Sequence, residues 1–217
     1  MKINALRKSY GDRLVLDFPG LEIAPGEIWA VIGSNGSGKS TFARAAAGVL
    51  DADGGEKAFE LRPDIGYMPQ KSYGFRMSAL KNLRLGGGSE EEALAMLEKL
   101  GLTSLARSHA KKLSGGETAR MALGRVLMAD HELIILDEPT ASMDMESTAL
   151  CERLICDYCR AGGAAVIWVT HSLAQARRVA DKAMFMRGGK LWEYGEAEKL
   201  LNTPEKAETA EFLKFYE

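Results

Sequence analysis

The stretch "IWAVIGSNGSGKSTFARAAAGVL" (residues 28–50) decides the fold, because an apolar run, a glycine-rich turn and a helix-forming segment follow one another in it. The run "IWAVI" is typical of a buried strand, and "TFARAAAGVL" has the composition of a helix. The turn between them has the spacing G-x-x-x-x-G-K-[ST], through Gly33, Gly38, Lys39 and Ser40. Since strand, loop and helix are the context that this spacing requires, the sequence predicts a phosphate-binding loop.

The chemistry of such a loop depends on its backbone as much as on its side chains. Glycines allow N–H groups to point inward around a β-phosphate, and the N-terminus of the following helix adds its positive dipole end. Lys39 is expected to reach the β- and γ-phosphates of a nucleotide, and Ser40 to bind Mg²⁺ through its hydroxyl. The predicted phosphate-binding residues are Gly33, Ser34, Asn35, Gly36, Ser37, Gly38, Lys39, Ser40 and Thr41.

Two more short apolar runs end in residues suited to chemistry. "LIIL" at 133–136 is followed by Asp137 and Glu138, and "AAVIWVT" at 164–170 is followed by His171. Such runs, separated by helical segments, are typical of parallel strands covered on both faces, and the chemistry of these sheets lies at the carboxyl ends of the strands. We therefore expect Asp137 to be a carboxylate anchor for the Mg²⁺ and Glu138 to polarise a water for attack on the γ-phosphate.

The order of the segments predicts an α/β fold with one domain over residues 1–217. Residues 73–129 contain "EEEALAMLEKLGL" and "GGETARMALGRVLMA", which have helical patterns, and no strand-like run lies between them. We expect this segment to be a helical subdomain inserted into an α/β core made of residues 1–72 and 130–217. After Gly195, the tail is expected to form one or two short amphipathic helices broken by Pro204.

The composition excludes several classes of protein. The 217 residues are 46% hydrophobic and 27% charged, which is ordinary for a globular protein with a proper core. A net charge of -2 without a lysine- or arginine-rich tract argues against nucleic-acid binding. No apolar run approaches the about 20 residues that cross a bilayer, and the opening "MKINALRKSYGD" lacks the apolar segment of a secretory signal. We therefore expect the chain to stay in the cytosol.

The three cysteines lie close together on one predicted helix, and Cys156 and Cys159 have the C-x-x-C spacing. A zinc site normally needs four ligands, and no histidine is near these cysteines in the sequence. A redox pair would need a thioredoxin-like context, which the sequence does not have. We interpret Cys151, Cys156 and Cys159 as reduced, partly buried packing residues.

A second glycine turn, "LSGGE" at 113–117, precedes a helix but has no lysine. Ser114 and Glu117 form the S-x-x-E pattern of a capping box, so the motif alone predicts only a helix start. Free N–H groups, a hydroxyl and the positive end of the helix also make an anion site without a lysine. At this stage a small-molecule kinase, a GTPase and an ATPase all remain possible, although the guanine-specific N-K-x-D pattern of GTPases is missing.

The order of five motifs favours one family. "GSNGSGKST", "GYMPQ", "LSGGE", "LIILDEPTASMD" and "VTHS" follow one another as in the nucleotide-binding subunits of the ATP-binding cassette family, which the chain resembles from about residue 10 to about residue 197. The resemblance implies a RecA-like core with a small antiparallel β part. It also implies that Tyr10 stacks on adenine, that Gln70 contacts the metal and the attacking water, that His171 contacts the γ-phosphate, and that Asp144 lies on a loop crossing a dimer interface.

The same resemblance gives the second glycine turn a role between two chains. In the family, the signature motif faces the γ-phosphate bound to another cassette, so that two cassettes clamp two ATP molecules head to tail. Ser114, Gly115, Gly116 and Glu117 would then bind the nucleotide held by Lys39 of a second copy. The sequence departs from the family in its fifth signature residue, which is usually glutamine, at Ala119 and Met143, and in a short segment at 48–70, which predicts a trimmed antiparallel sheet.

As a family member, the chain would be a separate ATPase subunit, peripheral on the inner face of the cell membrane. Its expected partners are a second copy, an integral membrane permease and, for an importer, an extracytoplasmic solute-binding protein. The segment "VTHSLAQARRVADKAMFMRGGKLWEYGEAEKLLNTP", together with "LSGGE", resembles importers of tungstate and phosphate. The alternatives are an importer of another small solute, an exporter, a non-transport ATP-dependent switch and a P-loop kinase.

Overall fold

A computed structural model describes residues 1–216, in which an eight-stranded sheet is packed between helices. The strands are β1 (Lys2–Ile3), β2 (Leu6–Tyr10), β3 (Arg13–Phe18), β4 (Leu21–Glu22), β5 (Ile28–Ile32), β6 (Ile65–Met68), β7 (Leu133–Asp137), β8 (Ala165–Val169), β9 (Lys182–Arg187) and β10 (Lys190–Glu196). The α-helices are α1 (Lys39–Ala46), α2 (Ala79–Arg84), α3 (Glu90–Lys99), α4 (Gly115–Leu127), α5 (Met145–Gly162), α6 (Leu173–Val179), α7 (Ala197–Asn202) and α8 (Ala207–Tyr216).

The sheet has the order β2-β3-β10-β9-β5-β8-β7-β6. The β2–β3 and β9–β10 pairs are antiparallel, and every other neighbouring pair in this sheet is parallel. A separate antiparallel ladder joins β1 to β4. The α/β class and the mostly parallel core with an antiparallel part are thus confirmed.

The register of the central strands brings their carboxyl ends to one level. Val31 of β5 and Asp137 of β7 both pair with Val169 of β8. The residues after these strands therefore leave the sheet at the same edge, which is where parallel sheets place their ligand sites. This register therefore places the phosphate loop, Glu138 and His171 at the same edge of the sheet.

Strand β5 separates two cores, as its fully apolar sequence requires. All five of its residues are buried. Because side chains alternate across a sheet, Trp29 and Val31 pack with the helix α1 side, whereas Ala30 and Ile32 pack with α6 and the tail helices. A strand that is apolar on both faces fits only the interior of a covered sheet.

The chain between β6 and β7 contains helices α2, α3 and α4, together with short 3₁₀ turns. These helices have an apolar cluster of their own, which includes Leu83, Leu97, Leu100 and Met121. Gly124 permits a close approach of α4 to α3, since a Cβ there would lie 2.4 Å from Leu100 Cδ1. Helices α2, α3 and α4 all lie within residues 73–129.

The sequence analysis located strands β5, β7 and β8. It did not locate the other seven strands of the described residues, which are β1, β2, β3, β4, β6, β9 and β10. Between α1 and β6 the structure has one 3₁₀ turn, Asp53–Gly55, and no strand. The tail forms two helices, α7 and α8, on either side of Pro204, as expected. No helix within residues 1–216 combines the length and the apolar character that a bilayer crossing requires.

Candidate active site

The phosphate loop between β5 and α1 is held by close backbone packing. Gly33 has φ 148° and Gly38, the N-cap of α1, has φ 102°. A Cβ on Gly33 would lie 2.3 Å from the carbonyl oxygen of Met186, and one on Gly38 would lie 2.9 Å from that of Val15. Positive φ and these contacts together explain why both positions are glycine.

Lys39 lies against the loop that precedes it. Its ammonium donates hydrogen bonds to the carbonyl oxygens of Gly33 at 2.7 Å and Ser34 at 3.0 Å. Burial lowers the pKa of Lys39, while the nearby carboxylates of Asp137 and Glu138 act in the opposite direction. A buried cation inside a glycine loop is arranged to receive an anion.

Ser40 and Asp137 form a pair of oxygen ligands. The Ser40 hydroxyl donates to Asp137 Oδ1 at 3.0 Å. Burial raises the pKa of Asp137, and the hydrogen bond from Ser40 opposes this effect. Hard cations such as Mg²⁺ prefer oxygen ligands of this kind, and a cation would compensate the buried carboxylate. Within residues 1–216, no cluster of three or more His, Cys, Asp or Glu has an arrangement suited to a metal.

Gln70 and His171, two of the residues predicted to be catalytic, both contact the carboxylate of Glu138. Gln70 Nε2 donates to Glu138 Oε2 at 3.1 Å, and His171 Nδ1 lies 3.3 Å from the same oxygen. Glu138 has φ 51°, and no other non-glycine residue among those described has a positive φ. Its backbone N–H donates to the carbonyl oxygen of Val169 at 3.0 Å. Two residues that are far apart in the sequence, Gln70 and His171, thus contact the same carboxylate oxygen of Glu138.

A cleft of about 350 Å³ lies between the phosphate loop, Gln70 and Glu138. Tyr10 lies at the end of β2, is 54% exposed and pairs with Arg13 across the hairpin, but it is not among the residues that line the cleft. Sequence reasoning missed Arg13 and Val15, which line the cleft from β3; their proximity to Tyr10 in the sequence was the available signal. The cleft is lined by Arg13, Val15, Asn35, Gly36, Ser37, Gly38, Lys39, Ser40, Thr41, Gln70 and Glu138.

The signature turn is a capped helix start and is not part of the lining of this cleft. Ser114 Oγ accepts from the Glu117 N–H at 3.3 Å, and Glu117 Oε2 accepts from the Ser114 N–H at 2.7 Å. The hydrogen bond from the Ser114 backbone lowers the pKa of Glu117. No residue of 114–117 is among those that line the cleft. Within one chain, the signature turn therefore contributes no residue to the lining of the cleft at the phosphate loop.

The loop at residues 139–144 lies between strand β7 and helix α5. A Cβ on Gly116 would lie 3.1 Å from the Ser142 carbonyl oxygen, so α4 approaches this loop closely. Asp144 is the N-cap of α5 and accepts from the Ser147 N–H at 2.7 Å, and Arg120 of α4 donates to the Ser147 hydroxyl. Asp144 therefore fixes the end of the loop, beside the signature helix.

The cysteines have the surroundings of packing residues. Cys151 and Cys159 are fully buried, and the Cys159 thiol donates to the Ala164 carbonyl oxygen at 3.0 Å. Burial raises the pKa of Cys151 to about 12 and that of Cys159 to about 11. Such thiols stay protonated at neutral pH and are poor nucleophiles.

The comparisons with known sequences agree on one family. The family model described as "ABC transporter" matches residues 16–141. The tungstate uptake system ATP-binding protein TupC of Peptoclostridium acidaminophilum is 37% identical over 88% of this chain and 96% of its own length. The phosphonates import ATP-binding protein PhnC of Stutzerimonas stutzeri is 33% identical over 93% and 88%, and the L-cystine transport system ATP-binding protein TcyN of Escherichia coli is 32% identical over 99% and 97%.

Solved structures agree on the fold. A dimeric, post-hydrolysis ATP-binding cassette bound to ADP and phosphate superposes with a TM-score of 0.80 at 23% identity, over 90% of this chain and 98% of the other. The ATP-binding subunit of an ABC transporter gives a TM-score of 0.82 at 22% identity, over 99% and 98%.

The loop geometry predicts different outcomes for two glycine-to-alanine changes. Gly33→Ala should lower the free energy of unfolding by about 3 kcal/mol and weaken nucleotide binding, because its Cβ has no room. Gly36→Ala, with φ 77° but no heavy atom within 4 Å of the added Cβ, should cost only about 1 kcal/mol. Urea unfolding of both variants measures the difference, and equal stabilities would contradict this account of the loop.

Proposed function

The chain belongs to the ABC transporter family of ATP-binding domains, and from this premise we propose that it is the ATPase subunit of an importer for a small oxyanion. Members of the family bind and hydrolyse ATP, and this chain is an ATPase. The observation that carries the residue assignments is the shared contact of Gln70 and His171 with Glu138, beside Lys39 and the Ser40–Asp137 pair.

ATP would bind in the cleft between β3 and the phosphate loop. Tyr10 is exposed, with the Lys8 ammonium 5.8 Å from its ring centroid, and the ring would stack on the adenine, which is worth about 1–3 kcal/mol. The backbone N–H groups of residues 33–41 would surround the phosphates, and Lys39 would exchange its carbonyl contacts for phosphate oxygens. Ser40, Asp137 and Gln70 would hold Mg²⁺, which neutralises charge on the β- and γ-phosphates.

Hydrolysis would use Glu138 as the general base. Water attacks the γ-phosphorus, the bond to the β–γ bridging oxygen breaks, and the water proton passes to the Glu138 carboxylate. Gln70 and His171 would fix this carboxylate through their contacts with Oε2. His171 is more than half exposed, so its ring can turn from Glu138 toward the γ-phosphate.

Glu138→Gln should lower the ATP turnover of the full chain by at least about a hundredfold, because the amide cannot accept the proton. ATP affinity should stay nearly unchanged, since the other cleft residues remain. Phosphate release and equilibrium binding of ATP measure the two effects. Glu132→Gln, just before the opposite end of β7, is the matched control and should keep full turnover. Normal hydrolysis by Glu138→Gln would refute the assignment of the base.

The signature turn would act on a nucleotide held by a second copy. Residues 114–117 are not among those that line the cleft of their own chain, which supports this proposal. The first turn of α4 offers the N–H groups of Gly115 and Gly116 together with the Ser114 hydroxyl. Two chains arranged head to tail would each complete the other's γ-phosphate site, with Asp144 on the loop between them.

Ser114→Arg should leave ATP binding to one chain nearly intact while abolishing ATP-dependent dimerisation and hydrolysis, because a long cation would replace the small hydroxyl at the interface. Ser89→Arg is the matched control: Ser89 caps α3 with the same capping box, so its loss costs similar stability, about 1 kcal/mol, away from the interface. Light scattering with ATP and turnover assays separate the variants. Dimerisation of Ser114→Arg would contradict the intermolecular site.

The proposed partner is an integral membrane permease, contacted from the cytoplasmic face. We propose that residues 73–129 form a subdomain that moves about the segment at Gln70. Next to Gln70, the exposed rings of Tyr73 and Phe75 pack edge to face at 5.4 Å, and the Arg125 guanidinium lies over both. An aromatic and cationic surface beside a hinge suits an amphipathic helix of the permease.

The cargo proposal rests on the relatives. The tungstate relative is 37% identical, whereas the phosphonate and cystine relatives are 33% and 32% identical. Expression with its neighbouring transport genes, in a host lacking tungstate uptake, should restore tungstate accumulation with the wild-type chain but not with Glu138→Gln. Restored uptake of cystine or sulfate would show that the cargo is not tungstate. Copurification with ribosomes or DNA in place of a permease would instead favour a non-transport switch.

A further inference from the structure

Gln175, on α6, is buried and forms hydrogen bonds with the segment after β7, the segment after β8 and helix α5. Its Oε1 accepts from the Thr170 hydroxyl at 2.8 Å, and its Nε2 donates to Thr140 Oγ1 at 2.9 Å and to Glu152 Oε1 at 3.0 Å. Only 3% of Gln175 is exposed, and Thr140, Glu152 and Thr170 are also buried. One amide therefore joins the segments after β7 and β8 to helix α5.

The hydrogen bonds of this cluster, here called the Gln175 brace (Thr140, Glu152, Thr170 and Gln175), leave the amide only one orientation. Both of its hydrogens point to oxygen acceptors, and the Glu152 carboxylate requires a donor. Arg178 forms a two-pronged ion pair with Glu152, so the buried charge is compensated. Losing one member of a satisfied buried network leaves the other members unpaired, which is costly.

The brace is adjacent to both predicted catalytic side chains. Thr140 is two residues after Glu138, and Thr170 directly precedes His171. A cavity of about 210 Å³ lies beside Glu138, and its lining includes Thr140, Thr170, His171 and Gln175. The Glu138 N–H donates to the Val169 carbonyl oxygen at the start of these two segments. The brace adds a side-chain connection between them through Thr140 and Thr170.

We propose that Gln175 is a positioning residue for ATP hydrolysis, which holds Glu138 and His171 in their productive arrangement through Thr140 and Thr170. The inference rests on the proposed function of Glu138 and His171. Gln175 does not line the nucleotide cleft, so it acts only through these neighbours. Its loss should lower the rate of hydrolysis and spare nucleotide binding, which depends on the phosphate loop and Tyr10.

The primary test is Gln175→Leu, which keeps the approximate volume but removes all three hydrogen bonds. Turnover of the full chain should fall by about tenfold or more, because small displacements of catalytic groups are expensive, while the Kd for ATP should change by less than about twofold. Thr209→Val is the matched control: Thr209 is fully buried on α8 and donates to Glu193, far in the sequence from the site. It should lose stability but keep turnover.

A second test exchanges the amide of Gln175 and the carboxylate of Glu152, which are hydrogen-bonded to each other. Gln175→Glu alone places two carboxylates face to face and should also lower turnover by about tenfold or more. Adding Glu152→Gln restores one donor and one acceptor, so the double variant should recover about fivefold over Gln175→Glu. A role in folding alone would show this recovery in thermal stability and not in turnover measured below the unfolding transition.

Three results would overturn the inference: wild-type turnover in Gln175→Leu, a parallel loss of ATP affinity, or a loss of turnover in Thr209→Val as large as in Gln175→Leu. Glu138→Gln and His171→Ala are measured in the same assay. If those variants hydrolyse ATP normally, the proposed function itself fails. If they are inactive while Gln175→Leu is normal, only the positioning role of Gln175 fails.

Discussion

The parallel register of β5, β7 and β8 is the constraint on which the rest of the site depends. Every residue of these three strands is buried, so a slip of one residue would exchange the side chains that face the two cores. In the observed register, Val31 and Asp137 both pair with Val169. Hydrophobic burial thereby brings the phosphate loop, the two acids and the histidine to one edge, although these groups gain little from meeting one another.

Much of this arrangement could be predicted from the sequence, because each signal is local. The apolar runs predict buried strands, and the spacing from Gly33 to Ser40 predicts a loop that exists only with positive φ at its glycines. The pattern of Ser114 and Glu117 predicts the capping box that the structure contains. In each case a few neighbouring residues carry the information, so periodicity and turn chemistry were sufficient.

The elements that were missed depend on distant contacts. Strands β9 and β10 form the turn that contacts the phosphate loop, where Gly189 donates to the Ser37 carbonyl oxygen at 2.9 Å, but "KLWEYGE" has no clear alternation of buried and exposed residues. Arg13 reaches the cleft only because β3 lies beside it. The contact of Gln175 with Thr140 spans 35 positions, and a lone glutamine on a helix gives no sign of it.

The backbone at Glu138 gives a reason for a polar brace at this place. A φ of 51° for a residue with a side chain costs about 1–2 kcal/mol, so the surroundings must make the alternatives worse. The Val169 carbonyl holds the Glu138 N–H, and Ala141 donates back to the Glu138 carbonyl at 3.3 Å. An apolar side chain at position 175 would fill volume without distinguishing one turn conformation from another. An amide that must satisfy Thr140, Thr170 and Glu152 together accepts only one turn conformation, and that selectivity is what a strained residue proposed as the general base requires.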